Sequence, residues 1–227
     1  MTQPTLYDET MPADAGARGT GPGPDDPRSL FARGVALGGS VIGAVRPDQL
    51  DDPTPCSDFD VRGLLDHIVT VLERVAAIGR GDDPFALPPR PEVADDGWQA
   101  AWVRAAHGVQ AAWTDNAALT RTVRLPWATM PGAATLVQYL GEVTVHTWDL
   151  ATATGQLPDW DDTVVSAAYD AYRRALPPAG RAGMVEEIRE HLPPEVRDAP
   201  SPFADPVDVD HDAPLIDRLV AWTGRRP

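Results

Sequence analysis

Glu142 and His146 stand four residues apart in the segment PGAATLVQYLGEVTVHTWDLATATG, which spans 131–155. On an α-helix, at about 100° per residue, Thr135, Gln138, Glu142, His146 and Asp149 fall on one narrow stripe. Side chains four apart are neighbours, so this carboxylate and imidazole can meet at one point. Both donor types suit zinc, and several other divalent metals as well. Two ligands on one helix hold a catalytic metal poorly, so a third is expected from a facing helix. His67 is the best placed. It lies near Leu64 and Val71, on the flank of an apolar stripe made by Val61, Leu64, Leu65, Ile68, Leu72 and Val75. Three protein ligands leave a coordination position open, as in a catalytic rather than a structural site. A plainer reading fits the same spacing. The E-x-x-x-H stripe can be a solvated helix face, His67 a hydrogen-bonded boundary histidine, and Asp149 a surface or helix-pairing carboxylate.

The remaining reactive side chains rank lower. His107 lies opposite the Trp102/Ala105 side of its helix and is expected to be exposed. His191 sits near a helix end, where a cation is favourable, and His211 sits in a loop. Cys56 is the single cysteine, so no internal disulfide can form. With no histidine near it in sequence, it reads as a small buried thiol in a turn. The seven tryptophans read as core, with Trp127 and Trp148 as alternative pocket walls. The chain has no lysine: all 19 of its Lys and Arg positions are arginine. This removes Schiff-base chemistry and the phosphate-binding P-loop lysine.

The elements that must hold these residues are helical. Residues 1–27, rich in Pro, Gly, Asp and Thr, read as a disordered tail, and 28–227 as one helical domain. A first helix is expected from about Arg28 to Val45, with Phe31, Val35, Ile42 and Val45 on one side and a weak middle at Gly38-Gly39-Ser40. A second starts after a Ser57 cap and ends near Gly79. A third covers Gly97 to Asn116. TVRLPW is a candidate extended segment. A fourth helix runs from Pro131 to about Gly155, whose glycine is a good stop. Three shorter ones follow: Asp161–Leu176, Arg181–His191 and Pro214–Trp222. This pattern argues for an all-α fold, a four-helix bundle with additional short C-terminal helices.

The chain has 227 residues, 43% of them hydrophobic, which suffices for a core. Its formal net charge of −15 repels phosphate backbones and anionic lipid, so neither a nucleic-acid nor a membrane partner is expected. No stretch approaches the length of a membrane span, and the first residues do not form a secretory signal. A cytoplasmic location is the expectation.

Four stretches, DPTPCSDFDVRGLLDHIV, TVRLPWATMPG, YLGEVTVHTWDLATATGQ and APLIDRLVAWTGRRP, resemble actinobacterial proteins of the mycothiol-dependent maleylpyruvate isomerase N-terminal type, within the DinB/YfiT-like superfamily. The arginine-only basic set, with abundant Pro, Gly and Ala, fits such a GC-rich source. The resemblance covers about residues 28–227. It implies a four-helix bundle with a metal, commonly zinc, at one end, held by His67, Glu142 and His146. The family's isomerase has a further C-terminal region that contributes a substrate-binding arginine. This chain ends on a short helix instead, and no residue is carried over for that role.

The expected function is therefore a divalent-metal-dependent enzyme acting on a small electrophilic substrate. Its cosubstrate would be a small thiol, mycothiol, used for S-transfer or isomerisation as a transferase or isomerase. The reactive species would be a metal-bound thiolate or water, with Asp149 as a proton relay and Gln138 and Trp148 around the pocket. Two alternatives are a metal-water hydrolase, lyase, cyclase or isomerase without a thiol, and a non-catalytic metal-binding regulatory module.

Overall fold

A computed structural model describes residues 22–88, 90–191 and 203–227. Most of the expected N-terminal tail lies outside the described residues, as does the side chain of His191. Four long helices form the bundle: α1 (Pro27–Gly43), α2 (Val61–Arg80), α3 (Trp98–Ala112) and, after a short α4 (Asn116–Thr120), α5 (Gly132–Ala153). Each helix packs on two others of the four: α1 on α3 and α5, and α2 on α3 and α5. Then come α6 (Asp162–Ala175), α7 (Arg181–His191) and α8 (Leu215–Trp222). Helix α6 covers α5 and α1, and α8 covers α6. Among the described residues the fold is all-α apart from one small hairpin, with extra helices after the bundle. Among the described residues, no helix is long and apolar enough to cross a membrane.

Local chemistry sets the helix ends, and it moves several expected boundaries. Asp60, not Ser57, caps α2, its carboxylate accepting from the Gly63 N–H at 2.7 Å. Helix α2 runs past Gly79 to Arg80 and stops at Gly81, whose φ of +87° is the left-handed conformation that favours glycine. The expected third helix is two. Helix α3 ends at Trp113, whose indole donates to the Val75 carbonyl at 2.9 Å, and Asp115 caps α4 afresh. TVRLPW is extended over its first four residues, and Pro126 and Trp127 form the turn. Strand β1 (Thr122–Leu125) pairs antiparallel with β2 (Ala128–Pro131), Leu125 opposite Ala128, and the turn presents Trp127.

The glycine pair in α1 does not break that helix. A Cβ on Gly38 would sit 2.9 Å from the Trp102 ring and 3.1 Å from the Thr147 hydroxyl. The pair lets α3 approach closely, and the Trp102 indole donates to the Val35 carbonyl at 3.1 Å. Helical propensity lost there is offset by interhelical packing.

Helix α5 lies at the centre. Its neighbours cover nearly its whole circumference from Tyr139 to Ala151. Its buried threonines are satisfied by their own helix: Thr144 donates to the Leu140 carbonyl and Thr147 to that of Val143, both at 2.7 Å. The solvated-face reading of the α5 stripe therefore fails: Thr135, His146 and Asp149 are 1%, 1% and 0% exposed.

Candidate metal centre

His67 on α2 and the Glu142/His146 pair on α5 face one another across the α2–α5 contact. The ligand atoms of all three lie within 4.8 Å of one another. His67 Nε2 is 3.2 Å from Glu142 Oε1, and about a fifth of each side chain is exposed. The His67 and His146 rings meet edge to face with centroids 4.9 Å apart, and Phe59 stacks on the other side of His67 at 5.0 Å. Phe59 is placed by the loop before α2, where the Thr54 hydroxyl bridges the Cys56 and Phe59 carbonyls at 2.9 and 2.8 Å.

Behind His146 stands a second layer. Its Nδ1 lies 2.9 Å from Asp149 Oδ2. An ionised carboxylate only accepts, so Nδ1 carries the proton and Nε2 keeps its lone pair. Arg225 closes the set, donating from Nε and Nη2 to the two Asp149 oxygens at 3.1 and 2.8 Å. Asp149 is fully buried and Arg225 is 6% exposed. The chain reaches this point because it turns at Gly224, whose φ is +92° and where a Cβ would lie 2.6 Å from that of Ala204. After that turn the Arg225 N–H bonds back to the Val220 carbonyl at 3.0 Å, which aims its side chain into the core.

Electrostatics follow from burial and partners. Burial would raise the Asp149 carboxyl, but hydrogen bonds from His146 and Arg225 outweigh it and hold the carboxyl below its usual range. Burial pushes the His146 imidazole below its ordinary value against the pull of Asp149, so the ring is neutral at neutral pH. At Glu142 burial acts upward, yet contact with His67 and the nearby charge of Arg74 leave the carboxyl lowered.

The donor set suits a divalent cation. His67 Nε2 is buried and makes no hydrogen bond, although a carboxylate oxygen lies 3.2 Å away. An imidazole nitrogen and a carboxylate turned toward each other without a hydrogen bond are costly in isolation. A cation between them would satisfy both. Cys56, His146 and Asp149 form a second candidate group, all buried. It fits less well, because both Asp149 oxygens are already engaged. The Cys56 thiol is also pushed up by burial, with Arg225 pulling the other way, and so stays protonated.

Among the other side chains singled out from the sequence, Gln138 is half-buried one turn before Glu142. Trp148 packs in the core, and half-buried Trp127 meets the Phe85 ring edge-on at 5.9 Å. His107 and His211 are exposed, away from the cluster. Sequence reasoning missed Phe59, Arg74 and Arg225, and it set Cys56 aside for want of a nearby histidine. That histidine is His146, adjacent only in space.

The profile of the mycothiol maleylpyruvate isomerase N-terminal domain matches residues 31–151. Two Mycobacterium tuberculosis proteins, from strains CDC 1551 and H37Rv and both described as uncharacterized, are 31% identical to the chain over 201 residues. That alignment covers 88% of this chain and 98% of theirs. No solved structure is a significant match.

Proposed function

The chain belongs to the mycothiol maleylpyruvate isomerase N-terminal domain family, and we propose that it is a divalent-metal-dependent enzyme using mycothiol for S-transfer to, or isomerisation of, a small electrophile. The observation that carries this reading is the convergence of His67, Glu142 and His146 on one point at the α2–α5 contact. These three residues would hold the metal, with zinc a good match to two imidazoles and one carboxylate. Bound there, a divalent cation would keep net positive charge beside one carboxylate and two neutral imidazoles, and would lower the pKa of a thiol or water.

The chain's own residues do the positioning. Asp149 fixes the His146 tautomer and ring orientation, and Arg225 neutralises the buried carboxylate so that its charge does not oppose an anionic thiolate. Phe59 holds the His67 ring against one wall. The thiol gives its proton to solvent, its sulfur bonds to one carbon of a conjugated C=C, and the π pair moves into the conjugated acceptor. Rotation about the resulting single bond and expulsion of the thiolate complete an isomerisation, whereas protonation of the adduct completes addition of the thiol. A thiol cosubstrate suits the reducing cytoplasm.

The test is to measure metal content, then incubate zinc-loaded protein with mycothiol and a panel of small electrophiles. Thiol-dependent product supports the proposal. Turnover equal with and without thiol transfers the assignment to hydrolase or lyase chemistry. Bound metal with no turnover across the panel favours a binding module.

A further inference from the structure

Two more unpartnered polar atoms lie beside the metal centre. Helices α2 and α5 run antiparallel: His67 faces Glu142, while further along α2 the Val75 carbonyl holds the Trp113 indole, whose ring lies against the Gly132 position that starts α5. Two turns beyond His67 on α2 stands Arg74, and one turn before Glu142 on α5 stands Gln138. Antiparallel packing brings these two positions to the same end of the α2–α5 contact. Arg74 is near enough for its charge to act on both Tyr139 and Glu142.

Arg74 Nε and Gln138 Oε1 are both buried and without a hydrogen-bond partner. Three arginines on or beside α2 are paired with carboxylates: Arg62 with Asp95, Arg80 with Asp82, and Arg90 with Glu73 and Asp66. Arg74 instead rests on the Phe85 ring, its guanidinium carbon 5.5 Å from the centroid. Arg74 is half-buried and makes no ion pair among the described residues, although its charge reaches Glu142. A buried donor without an acceptor is costly, and a planar guanidinium matches a carboxylate in bidentate fashion. Gln138 adds an acceptor that calls for a donor.

We propose that Arg74 and Gln138 form the substrate-recognition subsite of this centre, for a small molecule bearing a carboxylate and a nearby hydroxyl or N–H. Arg74 binds the carboxylate, Gln138 accepts from the donor, and Phe85 and Trp127 wall the mouth. This rests on the metal-enzyme reading for its purpose, but the binding itself is measurable without metal.

The probes are 3-hydroxybutyrate, butyrate and the uncharged butyramide, titrated by ligand-observed NMR against zinc-loaded and metal-free protein. The variants are Arg74→Met, Arg74→Lys and Gln138→Leu, each checked for folding by circular dichroism and for zinc content. Wild type should bind both carboxylates at least tenfold more tightly than Arg74→Met, with zinc content unchanged. Arg74→Lys should retain part of that affinity, and butyramide should not distinguish the proteins. Gln138→Leu should erase the preference for 3-hydroxybutyrate over butyrate. Equal carboxylate affinity in folded wild type and Arg74→Met overturns the proposal. So does an Arg74-dependent affinity that butyramide shares. If zinc does not bind but the Arg74-dependent carboxylate affinity persists, the metal reading falls and this subsite stands.

Discussion

His146 and His67 approach the same point from opposite walls and are held in opposite ways. Behind His146 every polar atom is answered: Asp149 holds the ring, Arg225 holds Asp149, and the whole set is buried. Around His67 the polar atoms are unanswered. Its Nε2 has no hydrogen bond, nor have Arg74 Nε and Gln138 Oε1 farther along the same groove. One wall is pre-organised by the protein, and on the proposed reading the other would be completed by the metal and its ligand. Rigidity and recognition are thereby divided between α5 with the C-terminal turn, and α2 with the facing end of α5.

The sharpest way to break that contrast is the same substitution at two arginines. Arg225→Met leaves Asp149 ionised and buried without its cation, which should cost about 3–5 kcal/mol in urea unfolding. Arg74→Met, which breaks no ion pair, should change stability by less than about 1 kcal/mol. Equal losses would erase the distinction between the walls. Arg225→Met should also weaken zinc binding by about tenfold or more, because an unheld His146 must be ordered on binding.

Next in size is metal-linked stability. At a free zinc concentration of about a hundred times Kd, wild type should gain about 2.7 kcal/mol over the metal-free protein. His67→Ala, Glu142→Ala and His146→Ala should each lose that gain, whereas His107→Ala and His211→Ala keep it. Thermal unfolding with and without zinc reads this directly.

The pH dependence of the metal-free protein is a smaller effect. The His146 imidazole is lowered in the fold, chiefly by burial, so below its ordinary value the unfolded chain binds the extra proton. Stability should therefore fall as pH drops below about 6.5, at no more than about 1.4 kcal/mol per pH unit for this one group. Asp149 is also lowered, so its contribution is lost only in stronger acid, below the ordinary carboxylate range. In urea titrations from pH 8 to 5, His146→Gln should flatten the upper part of this decline. An unchanged slope would mean that His146 does not govern it.

Smallest is the effect of Phe59→Leu. Losing the stacked ring frees His67, and zinc affinity should fall by about threefold to tenfold with the fold intact. No change would mean that α2 alone orients His67.

Periodicity made the triad a candidate, and the family resemblance favoured it over the solvated-face reading. Glu142 and His146 meet because a helix brings residues four apart to one face, and His67 flanks an apolar stripe that had to face the core. Those are properties of a single helix, and local sequence determines them. The same holds for α2's capping at Asp60 and stop at Gly81, once side-chain caps and left-handed glycine are weighed. Whether the α5 stripe met water or protein was not a local matter. Its burial depends on α1, α2 and α6 closing around α5, and no pattern within residues 131–155 carries that. Arg225 was less legible still. It stands 76 residues from Asp149, and only the close approach of Ala204 to Gly224 turns the chain end inward. Cys56 met its histidine for the same reason: ligand sets form between whichever side chains packing makes neighbours.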